Sequence, residues 1–144
     1  MEAFQISGKW FPKEIAILNP STQECVCLTI KCDVPYKYLK PIVLPTVKYQ
    51  FARHGIYWDD GDYTLTHAKH IITRLVNLEV DDVFVKGDQK EEFFGSWFPR
   101  VHSIVAAPSF KDLNECNNQV CDKNHHRNCA RRKCFELVPY IDHI

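Results

Sequence analysis

Between Cys116 and Cys134 the chain reads CNNQVCDKNHHRNCARRKC, four cysteines and two adjacent histidines within nineteen residues. A fold carrying such a stretch must bury those side chains, bridge them or load them with a metal. Seven cysteines in all is an odd number, so a complete set of intrachain disulfides is impossible. The opening residues MEAFQISGKW lack the basic-then-apolar order of a signal peptide. No apolar run approaches the roughly 18–20 residues that span a bilayer. The expectation is an intracellular chain, cytoplasmic or nuclear and not secreted, with no membrane partner. In a reducing compartment, metal ligation or plain burial explains thiols better than disulfides do. Cys121, one of His125 and His126, and Cys129 are spaced as C-x3-H-x3-C or C-x4-H-x2-C. One loop of that length can wrap a zinc ion, which prefers thiolate and imidazole in a tetrahedron. A fourth ligand has to come from elsewhere.

The chain of 144 residues suits one domain, taken as residues 1–144. Eighteen basic side chains balance eighteen acidic ones. That balance removes the whole-molecule field of a nucleic-acid binder, so any such binding needs a local patch.

Trp10–Asn19 reads as a strand with Ile15 and Ile17 on one face and Glu14 on the other. Glu24–Cys32 alternates as well, with Cys25, Cys27 and Thr29 opposite Val26, Leu28 and Ile30. NPSTQ between them supplies the turn, which predicts an antiparallel hairpin. Pro35, Pro41 and Pro45 forbid a long helix and predict an extended excursion. The stretch from Val47 to Thr64 is taken as a further strand with a turn at Asp60-Gly61. Leu65, Ala68, Ile71, Ile72, Leu75 and Leu78 repeat at helical spacing after a cap at Asp62 or Thr64. Asp81–Gly87 reads as a short strand, DQKEEFFGSWF as a helix capped by Asp88, Arg100–Ala107 as a strand, and SFKDLNE as a helical turn. A last amphipathic helix is expected from about Arg127 to Ile141. A hairpin followed by alternating strands and helices implies an α/β domain with a mixed sheet and helices on its faces.

KEIAIL, RHGIYWDDG, VFVKGDQKEEFF and the terminal C…HH..NCA occur in that order. Together they resemble small exonuclease-like proteins of arthropod viruses and mobile elements. They also resemble the Maelstrom domain, a divergent RNase H-like domain of the DEDD exonuclease lineage, over roughly Trp10 to Ile141. The resemblance implies an RNase H-like mixed sheet flanked by helices and a link to nucleic acid. It also implies a zinc site in which a Glu of the first strand joins Cys, His and Cys near the C-terminus. Here those ligands are Glu14, Cys121, His125 or His126, and Cys129. The histidine falls one or two residues later than in the family pattern. Cys116 and Cys134 are the other candidates for the fourth position.

A DEDD nuclease needs four carboxylates to hold two divalent ions. The first motif offers Pro12 and Glu14, and the last offers Arg131, Arg132 and Lys133 where an acid belongs. Two-metal catalysis is therefore expected to be lost, and no catalytic residue is assigned. Lys123, Arg127, Arg131, Arg132 and Lys133 form the densest positive patch, suited to phosphates. The function expected is a zinc-stabilised, non-catalytic module of viral or transposon type. It would bind nucleic acid, single-stranded RNA favoured, or a protein of an RNA-silencing pathway. A residual metal-dependent nuclease and a protein-binding scaffold that keeps only the fold are the alternatives.

Overall fold

The structure, a computed structural model, describes residues 1–107 and 129–143. It opens with a hairpin that the sequence reading passed over. Strand β1 (Glu2–Ile6) turns through Ser7 and Gly8 into β2 (Lys9–Leu18). Both turn residues have positive φ, 51° and 80°, the conformation that a two-residue hairpin turn requires. β2 then pairs antiparallel with β3 (Cys25–Thr29), giving a sheet ordered β1-β2-β3. This second hairpin is the expected one.

The proline-rich excursion forms two short 3-10 turns, Tyr36–Tyr38 and Pro41–Val43. It runs into α1 (Leu44–His54), where a strand was expected. Pro45 lies in the first turn, where its missing N–H costs nothing. Gly55 closes the helix in the left-handed conformation with φ 71°. Gly61 is locally obligatory. Its φ is 145°, and a Cβ there would lie 2.3 Å from the Ile30 carbonyl carbon. The loop thus presses against the end of β3.

Helix α2 (Leu65–Arg74) starts as predicted, with the Thr64 hydroxyl accepting from His67 N at 3.1 Å. β4 (Val83–Val85) and β5 (Val101–Ser103) pair in parallel around α3 (Asp88–Gly95). Gly87 occupies the cap position of α3. Asp88 sits one residue inside, where its charge still favours the positive helix end. The last helix, α4 (Ala130–Leu137), is shorter than expected and continues as a 3-10 turn from Val138 to His143. The helical turn expected over 109–115 lies outside the described residues.

The domain is thus mixed α/β, but among the described residues the strands form two sheets rather than one. Both line one cavity of about 410 Å³, with Ile15–Leu18 on one side and Val83–Val85 on the other. One face of the antiparallel sheet gives Ile15, Leu28 and Ile30 to a core with Ala68, Ile72, Phe94 and Phe98. Each such aliphatic side chain, fully buried, contributes roughly 1.5–3 kcal/mol. A second cluster joins Phe4, Val47 and Trp58. The opposite face of the sheet lies under α4.

Candidate metal centre

Strand alternation carries Glu14 away from the Ile15 core. Its registered neighbours are Thr29 on β3 and Glu2 on β1. Ala16 and Cys27 lie one step further along the same face. On that face the chain returns at Cys129, in extended conformation, as the residue that caps α4. The Ala130 N–H donates to Glu14 Oε1 at 2.7 Å. Glu14 and Ala130 are 0% exposed and Cys129 is 1% exposed. The carboxylate thus meets the positive end of a helix in a dry environment, where such a charge-assisted bond is strongest.

The strand carboxylate of one expected zinc ligand, Glu14, therefore bonds the amide directly after another, Cys129, although 115 positions separate the two residues in the chain. Their chemistry fits a zinc ion: one oxygen and one sulfur donor, buried and held by secondary structure. Cys121, His125 and His126, which would complete the set, lie outside the described residues, as does Cys116. The alternative ligand Cys134 is engaged elsewhere. Its thiol donates to the Ala16 carbonyl at 3.4 Å and is hydrogen-bonded to Cys25.

No protein-family model, curated protein or solved structure matches this chain.

The structure also places part of the basic patch. Lys133 is turned inward, 9% exposed, with its ammonium 2.7 Å from Glu2 Oε2. Burial alone would raise the Glu2 pKa, but the Lys133 ammonium, the terminal amine and Lys90 together outweigh it and hold the carboxyl below its ordinary value. Arg131 donates to the Cys25 carbonyl at 3.3 Å, and Arg132 pairs with Glu136 at 3.8 Å one turn along. These three cations tie α4 to the sheet and to its own next turn. Lys123 and Arg127 lie outside the described residues.

Cys25 and Cys134 share a hydrogen bond between β3 and α4. That bond, aided by Arg131, brings the Cys25 thiol down to about 7, while the same bond and burial push Cys134 well up. On the far side of β2, Lys13 is 0% exposed. Its ammonium donates to the carbonyls of Ile30 at 2.6 Å and Trp58 at 2.8 Å, and also to that of Asp60. Burial lowers its pKa, opposed by Cys32, Asp60 and Asp59. The sequence reading missed this residue, although a lysine inside an apolar strand is its own signal, because charges are rarely buried without partners. Asp82 is exposed, and its Oδ1 meets His102 Nε2 at 3.0 Å and Arg100 Nε at 3.3 Å. His54 packs the fold: it is buried, its Nδ1 accepts from Ile56 N, and its ring stands edge-on to Phe4.

Proposed function

We propose that this chain is a zinc-stabilised, RNase H-like module that binds single-stranded nucleic acid, RNA favoured, without cleaving it. The observation that carries the reading is the junction of Glu14 with Cys129 and Ala130. A carboxylate of the long central strand and the thiol ahead of the last helix are the two ends of the Glu-Cys-His-Cys set that the sequence suggests. Zinc would be held by Glu14, Cys129, Cys121 and one of His125 and His126. When bound it supplies folding free energy rather than chemistry, since a closed structural site has no open position for substrate.

An RNase H-like arrangement is supported by the opening antiparallel sheet, the parallel β4–β5 pair and helices on both sides of β2. Loss of catalysis is supported by the surroundings of Glu14. The position two residues earlier is Pro12, and on the same face Glu2 is committed to Lys133. Neither supplies the second acid that a pair of divalent ions would need there.

The test uses the purified chain, analysed for zinc and then incubated with labelled single-stranded RNA and DNA in magnesium, in manganese or in chelator. The expected result is about one zinc per chain and retarded but uncut strands. Cleavage abolished by chelator would replace this reading with the nuclease. Zinc without any binding would leave a protein scaffold.

A further inference from the structure

Arg131, Arg132 and Lys133 have partners within the fold, and a different part of the described surface offers a place for a single strand. A second cavity, of about 370 Å³, opens between α1 and the loop after it. Its floor is Phe4, Val47 and Trp58, its aromatic walls are Tyr36, Phe51 and Tyr57, and Lys48 and Asp59 stand at its edge. We propose that this cavity takes one nucleobase of a single-stranded nucleic acid, with the attached phosphate on Lys48. The proposal rests on the nucleic-acid reading above and gives it a site.

Three features of a nucleotide match three features of the cavity. The base is a flat π-system, and the walls are aromatic: Phe51 and Tyr57 are in tilted ring contact, 37° apart with centroids at 4.7 Å, and Tyr57 is 64% exposed. A base edge carries N–H donors, and the Asp59 carboxylate, which takes Tyr36 N at 2.9 Å through Oδ1, is an acceptor on the wall. A guanine edge, with two adjacent donors, suits a carboxylate best. The nucleotide's anion needs a cation outside the cavity, and Lys48 is exposed. Lys37 and Lys40, also exposed, lie on the proline-rich excursion that precedes α1. A bare anion would be repelled by Asp59, and a purely apolar guest would leave both charges without a role.

The cavity is also built rigidly, which limits the ordering cost of binding. Trp58 is 3% exposed and its indole N–H donates to the Val34 carbonyl at 2.6 Å. The Lys13 ammonium fixes the carbonyls of Trp58 and Asp60 from beneath. The loop that presents Tyr57 is therefore clamped to the sheet, and the exposed tyrosine can be removed without opening the core.

The experiment measures binding of fluorescent single-stranded RNA to the full chain by anisotropy across a salt series. Guanosine monophosphate serves as competitor and duplex RNA as comparison. Tyr57→Ala should weaken binding about tenfold, the scale of one lost base stack. Lys48→Ala should weaken it several-fold and flatten the salt dependence by about 0.7 in slope, one phosphate's worth. Asp59→Asn should reduce any preference for guanine-containing strands. Competition by the mononucleotide would assign the site to nucleotides generally; its failure beside strand binding would assign it to a base within a chain. Wild type that binds while all three folded variants bind equally would overturn the cavity and leave the functional reading standing. Equal affinity for duplex would also overturn it, since a paired base cannot enter. Wild type that binds neither RNA, DNA nor mononucleotide would overturn both. Self-association abolished by Tyr57→Ala, without nucleic-acid binding, would give the cavity to a second copy of the chain instead.

Discussion

Lys13 and Glu14 are consecutive, opposite in charge and both 0% exposed, yet they do not pair. Strand alternation sends them to opposite faces of β2. On one face the ammonium gathers the carbonyls of Ile30, Trp58 and Asp60. On the other the carboxylate receives the first amide of α4. The same strand therefore ties down a loop with a cation and a helix with an anion. Each charge sits where the local backbone presents the complementary dipole: carbonyl oxygens at the loop, free N–H groups at the helix start. Neither charge could be moved to the other face without reversing that match.

The largest test of this contrast is on the helix side. Glu14→Leu leaves the Ala130 amide buried and removes the carboxylate proposed to hold zinc, and it is expected to lower unfolding free energy by about 3–5 kcal/mol. Urea denaturation and zinc content would both register the loss. Cys129→Ser should act in the same direction, and a strong chelator should lower the melting temperature of the wild type but not of either variant. A wild-type melt indifferent to chelator would leave the carboxylate as a helix anchor alone.

The loop side should respond less. Lys13→Met keeps the aliphatic length and removes a buried charge whose desolvation partly offsets its hydrogen bonds. A loss of about 2–3 kcal/mol is expected, the scale of one or two bonds to a charged group. The readout that separates the sides is limited proteolysis: new cleavage at Tyr57–Asp60 for Lys13→Met and near α4 for Glu14→Leu. Identical cleavage patterns would mean that β2 fails as a unit and that the two faces are not independent.

The apolar side of the fold was legible because period-two and period-3.6 patterns report directly on burial: Ile15, Leu28, Ile30, Ala68 and Ile72 are all in the core. α1 was not, because prolines obscured it and its sequence LPTVKYQFARH shows only a short apolar face. β1 escaped notice because a five-residue strand identified mainly by a Ser-Gly turn gives little periodic signal. Glu14 was singled out through a motif, but its amide partner, 116 positions away, has no local trace. The burial of Lys133 against Glu2 was equally invisible, since a helix written ARRKCFEL reads as a solvated face.

That pair supplies a smaller, pH-dependent test on the Glu14 face. Glu2 has a folded pKa below its ordinary 4.5. Protonation is therefore resisted by the folded state, and the stabilisation is complete above about 4.5 and is lost as pH falls through the lower folded value. Urea midpoints should bend downward below that point in the wild type. Glu2→Gln should show a flatter acid limb. An unchanged limb would mean that Lys133 finds another partner, or water, once Glu2 is neutral.

The smallest effect is a titration on the same face. Cys25 lies under α4 with Cys134 as hydrogen-bond partner, Arg131 lowering its pKa and Glu14 raising it, for a net value of about 7. The ordinary thiol value is 9.0, so alkylation of Cys25 by iodoacetamide should rise with a midpoint near 7. The Cys134 thiol, whose pKa is pushed well up, should react only at much higher pH. As an acid with a depressed folded pKa, Cys25 adds stability that is lost as pH falls through about 7, while Cys134 acts in the opposite sense, so the melting temperature should move little. The alkylation midpoint is the sensitive quantity. Arg131→Gln should raise it by removing a nearby cation. Glu14→Gln should lower it by removing a nearby anion. Lys13→Met, one residue along the chain but on the opposite face, should leave it in place. If Lys13→Met shifted the midpoint as much as Glu14→Gln did, the two faces of β2 would not be electrostatically separate, and the charges of Lys13 and Glu14 would have to be treated as one coupled pair.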